Sequence, residues 1–149
     1  VLGSLDLKRR DVFFGTVLLA LFIALEEIYM WILGIEMPEG FITFMLSEPI
    51  ILGLISVVII APVVEEFLFR GFLFSQLKRT KLGAWGAVSL SSLLWTIIHF
   101  QYEPLILFVL FIFGIFLGYI RMAYGSLSLP IILHAMNNAF AFGLAYFLY

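Results

Sequence analysis

Apolar residues in this chain come in long runs separated by short polar breaks, with no sustained apolar–polar alternation. Five runs approach the ~20 residues that a helix needs to cross a hydrocarbon core, at residues 12–33, 50–74, 82–100, 104–123 and 127–149. The breaks hold turn formers or charges: Gly34 to Gly40 around Pro38, Pro49, Lys78 to Lys81, Pro104, and Gly125 to Pro130. A membrane barrel would need alternation. The expected fold is therefore all-α, a polytopic transmembrane helical bundle of about five spans. No repeat or low-complexity linker divides it, so residues 1–149 read as one membrane-embedded domain.

Composition strengthens this reading. The chain is 64% hydrophobic and 12% charged, where soluble domains average roughly 45–50% apolar and about 25% charged. A chain of 149 residues has too little interior to hide that much apolar surface, so the lipid bilayer is its first partner. With no cysteine, disulfides, thiolate metal sites and a cysteine nucleophile are excluded. A net charge of −2 gives no support to a nucleic-acid partner. The start at Val1 rather than Met suggests a trimmed chain or a fragment of a longer protein, and leaves open whether further helices precede it.

All eight basic residues obey one topology. Lys8, Arg9 and Arg10 precede the first run; Arg70, Lys78, Arg79 and Lys81 surround the turn between the second and third runs; Arg121 ends the fourth run. The opposite loops carry Glu36, Glu39, Glu48 and Glu103 without Lys or Arg. Basic loops stay cytoplasmic, which puts the N-terminus inside; in a prokaryote the site would be the plasma membrane. Trp31, Tyr102, Tyr146 and Tyr149 fall near run ends, as interfacial anchors do. Gly114 and Gly118 form a small-xxx-small pair that suits close helix packing, either within one chain or in a homodimer.

Ionisable groups inside such runs are costly and mark protein-lined cavities. The second run reads Ala61-Pro62-Val63-Val64-Glu65-Glu66 and continues to Arg70; the third ends at His99; the fifth contains His134-Ala135-Met136-Asn137-Asn138. Residues four apart share a helix face, so Glu66 can pair with Arg70, and His134 and Asn138 project together. Glu65, rotated by about 100°, can look into the bundle. Pro62 should loosen the backbone one turn before it. Two imidazoles, a carboxylate and an amide, without a nucleophile, suit hydrolysis by an activated water. Glu65 would take a proton from water with help from His99, while His134 and Asn138 stabilise the oxyanion. Ser91 and Ser92, two turns from His99, are poor triad members.

The bland alternatives are structural. Glu66 and Arg70 serve equally well as a charge-neutralising pair, and a single buried histidine is ordinarily an interhelical hydrogen bonder. Glu26 and Glu27 read as packing or snorkelling carboxylates, and Asn137 as a local neighbour.

Three motifs, Glu65-Glu66-x-x-x-Arg70, an aromatic-x-x-x-His ending at His99, and His134-x-x-x-Asn138, together resemble those of the CAAX protease and bacteriocin-processing (CPBP, or Abi) family. The resemblance covers about residues 49–149, the motif-bearing core. It implies an intramembrane endopeptidase, similar to the type II enzymes that remove the last three residues of prenylated proteins, acting on a peptide or prenylated protein substrate. It implies Glu65, His99, His134 and Asn138 as catalytic, with Glu66 and Arg70 in support. Trp95 stands where the family usually has Phe. No cofactor is favoured; zinc on Glu65, His99 and His134 is the alternative, without the HExxH spacing that would argue for it. Other classes are a transporter, which would show inverted repeats, and a non-catalytic immunity factor or scaffold.

Depth is the difficulty. Counting ~1.5 Å per residue from the cytoplasmic ends, His134 lies near ~10 Å, Glu65 near ~15 Å and His99 beyond ~25 Å. Bringing them level predicts either a third span tilted or broken near Gly83 and Gly86, or a dip of Gly71–Lys81 into the membrane.

Overall fold

The computed structural model describes residues 7–47 and 49–148, and within them every element is a helix. Glu48 and Tyr149, singled out above, lie outside the described residues. The helices are α1 (Arg9–Leu33), α2 (Glu39–Ser47), α3 (Ile50–Leu77), α4 (Gly83–Ile97), α5 (Pro104–Tyr124) and α6 (Ser128–Leu148). Four of them, α1, α3, α5 and α6, are long and apolar enough to cross a membrane, and the protein is an integral multi-pass membrane protein. Leu19, Phe69, Trp95, Phe113, Leu117, Ile120, Leu129 and Leu133 form the main core. Side chains such as Phe13, Leu25, Ile51 and Phe72 point outward, where lipid is their natural contact.

Two elements differ from expectation. The short α2 has no counterpart among the five runs: it is too brief to span, and the apolar side chains of Met37 and Phe41 dock on Phe142 and Ala145 of α6. The third span, expected over 82–100, is shorter. α4 has 15 residues, or ~22 Å, against the ~30 Å of a hydrocarbon core. His99 explains its end. In a continuing α-helix the His99 N–H would bond the Trp95 carbonyl; instead the His99 ring Nδ1 takes that carbonyl at 2.9 Å, and the backbone N–H turns to Thr96 O at 2.9 Å. The chain then tightens into three-residue turns through Tyr102.

The irregular geometry lies in α3, correcting the expectation of a break in the third span. α4 runs unbroken through Gly86, and its only special backbone is at its first residue, Gly83, with φ of 63°. In α3, π-helical stretches at Leu54–Ile60 and Phe67–Leu73 flank the Ala61–Glu66 turn that carries both glutamates. A π-helical carbonyl seeks the N–H five residues on. For Val57 that residue is Pro62, which has none. Asn138 of α6 fills the gap, its Nδ2 donating to Val57 O at 2.9 Å.

Depth is reconciled by the turns. α3 continues to Leu77, so Glu65 and Trp95 each stand twelve residues, or ~18 Å, from the 78–82 turn. His99 lies only ~6 Å further along, and its turn folds the ring back toward Trp95. α6 starts deep: a Cβ on Gly71 would come within 3.2 Å of Leu127 Cδ2, so the α5–α6 connection is seated ~9 Å inside the end of α3. Two turns further on, His134 meets Glu66.

The small-residue pair on α5 packs within the chain. A Cβ on Gly114 would stand 3.0 Å from Ser92 Cβ, and one on Gly118 would stand 2.9 Å from Val88 Cγ1, both on α4. The homodimer contact through these two glycines is corrected accordingly, because α4 already occupies that face.

Candidate active site

The flexed turn of α3 splits the two glutamates. Glu66 is fully buried and faces the protein: its Oε1 accepts from Arg70 Nη1 at 2.9 Å and from His134 Nδ1 at 3.0 Å. Arg70, equally buried, sends Nη2 to Gly114 O at 3.0 Å, and Arg121 Nε donates to Arg70 O at 3.1 Å. Gly114 therefore admits the guanidinium as well as α4. In so dry a place either charge alone would be costly, and each has the other beside it. Arg70, Glu66 and His134 thus form a relay ending at an imidazole whose orientation the carboxylate fixes.

Glu65 faces the other way, into a cavity of about 840 Å³. His99, His134, Asn138, Asn137, Trp95 and Tyr102 line the same space. All four residues proposed above for the chemistry are brought together there, whereas Glu66 and Arg70 stand behind its wall. The Trp95 indole Nε1 donates to Glu65 Oε2 at 2.5 Å, and His134 Nε2 lies 3.9 Å from the same oxygen. A carboxylate accepts about four hydrogen bonds, so Glu65 retains capacity for a water.

The partners fix the tautomers. His99 gives its Nδ1–H to a carbonyl and His134 gives its Nδ1–H to a carboxylate, because neither acceptor can donate. Each neutral ring then carries a lone pair on Nε2. Asn138 spends one N–H on Val57 O and keeps the second, since a carboxamide has two.

Several side chains belong to this cavity that sequence reasoning placed elsewhere. Tyr102, read as an interfacial anchor, stacks on the His99 ring at 6.3 Å with an interplanar angle of 16°. Burial pushes its phenol above the usual tyrosine range, the Glu65 carboxylate adds to this, and a hydrogen bond with Gln101 opposes it. Glu26, Glu27 and Glu36 also line the cavity, whose wall has no lysine or arginine among the described residues. Two carboxylates side by side in the first apolar run were the available signal. Ser91 bonds back to Val88 O at 3.2 Å, and neither Ser91 nor Ser92 reaches the cavity.

A zinc site on Glu65, His99 and His134 was the alternative use of these groups. Among the described residues, no three His, Asp or Glu side chains are grouped as a metal-binding set. Trp95 holds one oxygen of Glu65 and both imidazole Nδ1 atoms are committed, so a metal there would be held by the two Nε2 atoms and the other Glu65 oxygen.

A family model described as "Type II CAAX prenyl endopeptidase Rce1-like" matches residues 47–140, well over half of the chain. An Escherichia coli protein described as "Uncharacterized 24.3 kDa protein" is 34% identical over 102 residues, 64% of this chain and 47% of that protein. The chain thus spans about half the length of the curated relative it matches. No solved structure matches it.

Proposed function

The chain belongs to the Rce1-like type II CAAX prenyl endopeptidase family, and from that membership we propose that it hydrolyses peptide bonds inside the membrane by a water activated between Glu65 and His99. The observation that carries this reading is the convergence of Glu65, His99, His134 and Asn138 on one cavity while Arg70 is committed to Glu66. Glu65 is thus left free of a permanent cation.

In this reaction Glu65 accepts a proton from the water as its oxygen attacks the scissile carbonyl, and the His99 Nε2 lone pair orients the same water. The 3.9 Å between Glu65 Oε2 and His134 Nε2 is short enough for one water to bond both. The oxyanion receives the second N–H of Asn138, together with the Nε2–H that His134 carries when its ring holds both protons. Glu65 then returns the proton to the leaving amine. Peptides ending in a prenylated CAAX sequence are the substrate class that the family suggests.

The test is mass-spectrometric mapping of cut sites in farnesylated and unmodified CAAX peptides, with and without a chelator. Glu65→Gln and His99→Ala should each abolish cutting while the detergent-solubilised protein stays folded. Full activity in either variant would falsify the assignment. Loss of activity on chelation, restored by zinc, would replace the metal-independent reaction with a metal-assisted one.

A further inference from the structure

Trp95 touches more of the site than any residue so far given a chemical role. It is 1% exposed, its Nε1–H meets Glu65 Oε2, and its own carbonyl holds the His99 ring. Its ring lies 4.7 Å from that of His99, stands edge-on to His134 at 5.6 Å and 88°, and carries the Arg70 guanidinium at 5.0 Å. Phe113 closes the remaining side at 6.2 Å.

These contacts differ in kind. The ring contacts need only a flat apolar surface, which phenylalanine would also supply. The hydrogen bond to Glu65 needs the indole nitrogen. Among the described residues the hydrogen bond given to Glu65 is the one from Trp95, with His134 Nε2 standing off at 3.9 Å, while the cavity around it is wide. A glutamate with three rotatable bonds in that space would sample several rotamers, most of them unable to share a water with His99.

We propose that Trp95 is a positioning residue for the hydrolysis: its indole N–H fixes the Glu65 carboxylate in the rotamer that shares a water with His99. The proposal rests on the reaction given above and adds to it a second requirement, that the general base is held by an aromatic donor on the neighbouring helix. Trp95 touches the base and not the water or the substrate, and it transfers no proton itself. It acts by raising the fraction of enzyme in which base and water are aligned, so its loss lowers kcat and leaves the binding of the rest of the substrate alone.

Trp95→Phe keeps the ring and removes the donor. With a quenched farnesylated CAAX peptide as probe, kcat should fall about tenfold to a hundredfold, the range expected for a hydrogen bond to a charged group, with KM within about twofold. A role confined to packing would lower the unfolding temperature or shift KM without this split. A second measurement does not depend on turnover. The full chain holds three tryptophans, so indole-labelled protein in micelles gives three N–H resonances, and Trp95→Phe identifies the one that belongs to Trp95. That resonance should lie downfield and move upfield in Glu65→Gln while the other two stay in place. A Trp95→Phe enzyme with wild-type kcat, or a Trp95 resonance indifferent to Glu65→Gln, overturns the proposal. Should the wild type cut none of the peptides, the proposed reaction fails separately, and the resonance alone decides whether Trp95 holds Glu65.

Discussion

α5 and α1 are both single apolar helices of spanning length, yet 39% of the apolar stretch of α5 is enclosed by protein against 11% of that of α1. α5 presents Gly114 and Gly118 to α4 and admits a buried guanidinium beside them. α1 buries only Gly15 and Leu19, and turns Glu26 and Glu27 toward the cavity. α2, with no buried side chain among those described, and the first π-helical stretch of α3, also with none, complete the cavity's loose wall. One side of the bundle fixes charges at set distances. The other provides space with little packing to lose. The proposed hydrolysis would draw on both, because aligned groups require a rigid frame and access requires a wall that can yield.

The largest test of this contrast removes a charge from the rigid side. Arg70→Met leaves the Glu66 carboxylate buried with only His134 as partner, and should cost about 3–5 kcal/mol, seen as a large fall in the unfolding midpoint in detergent. Adding Glu66→Gln to that variant should restore most of the loss. Glu65→Gln, on the open side, should shift unfolding by less than about 1 kcal/mol, as removal of one part-buried hydrogen bond does. Equal losses at the two neighbouring glutamates would erase the contrast. Next in size, Gly118→Ala pushes a Cβ into the stiff side chain of Val88 and should cost about 1–3 kcal/mol. A Cβ on Gly143 meets nothing within 4 Å, so Gly143→Ala should cost nothing. Val88→Ala combined with Gly118→Ala should recover stability if the loss is steric.

Much of this arrangement was legible in the chain. The apolar runs gave α1, α3, α5 and α6 to within about four residues, since hydrocarbon tolerates only satisfied backbones and so fixes helix lengths. Four-residue spacing paired Glu66 with Arg70 and set Glu65 apart from them. What stayed hidden depends on non-local partners. The end of α4 is decided by which His99 atom takes the Trp95 carbonyl, and no propensity encodes that choice. α2 exists because α6 offers Phe142 and Ala145 to dock on. The membership of Tyr102 and Glu26 in the cavity follows from how α1 and α4 are rotated, which the run pattern leaves open because both helices are apolar nearly all round.

A smaller effect joins the two sides. Asn138→Ala strands the Val57 carbonyl in a part-buried place and should cost about 1 kcal/mol. The cost should shrink when Pro62→Ala is also present, because residue 62 then regains an N–H for that carbonyl. A double-mutant cycle measures the coupling. Additive losses would mean that Asn138 does not substitute for the missing donor.

The smallest change in stability is expected on the open wall, and there it should come with a change in substrate binding. Phe44 lines the cavity from α2 and is 50% exposed, so Phe44→Ala removes little packing and should leave unfolding within about 0.5 kcal/mol. If that wall receives the apolar part of the substrate, the same change withdraws aromatic surface worth about 1 kcal/mol from the complex, and KM for a farnesylated peptide should rise about fivefold at constant kcat. An unmodified peptide, with less apolar surface to bury, should feel the change less. The pattern is opposite to that of Gly118→Ala, which lowers the unfolding midpoint without touching a cavity residue. Phe44→Ala that loses stability and leaves KM unchanged would assign α2 to the frame, and the division between a rigid side that aligns charges and a loose side that admits substrate would have to be redrawn between α2 and α1.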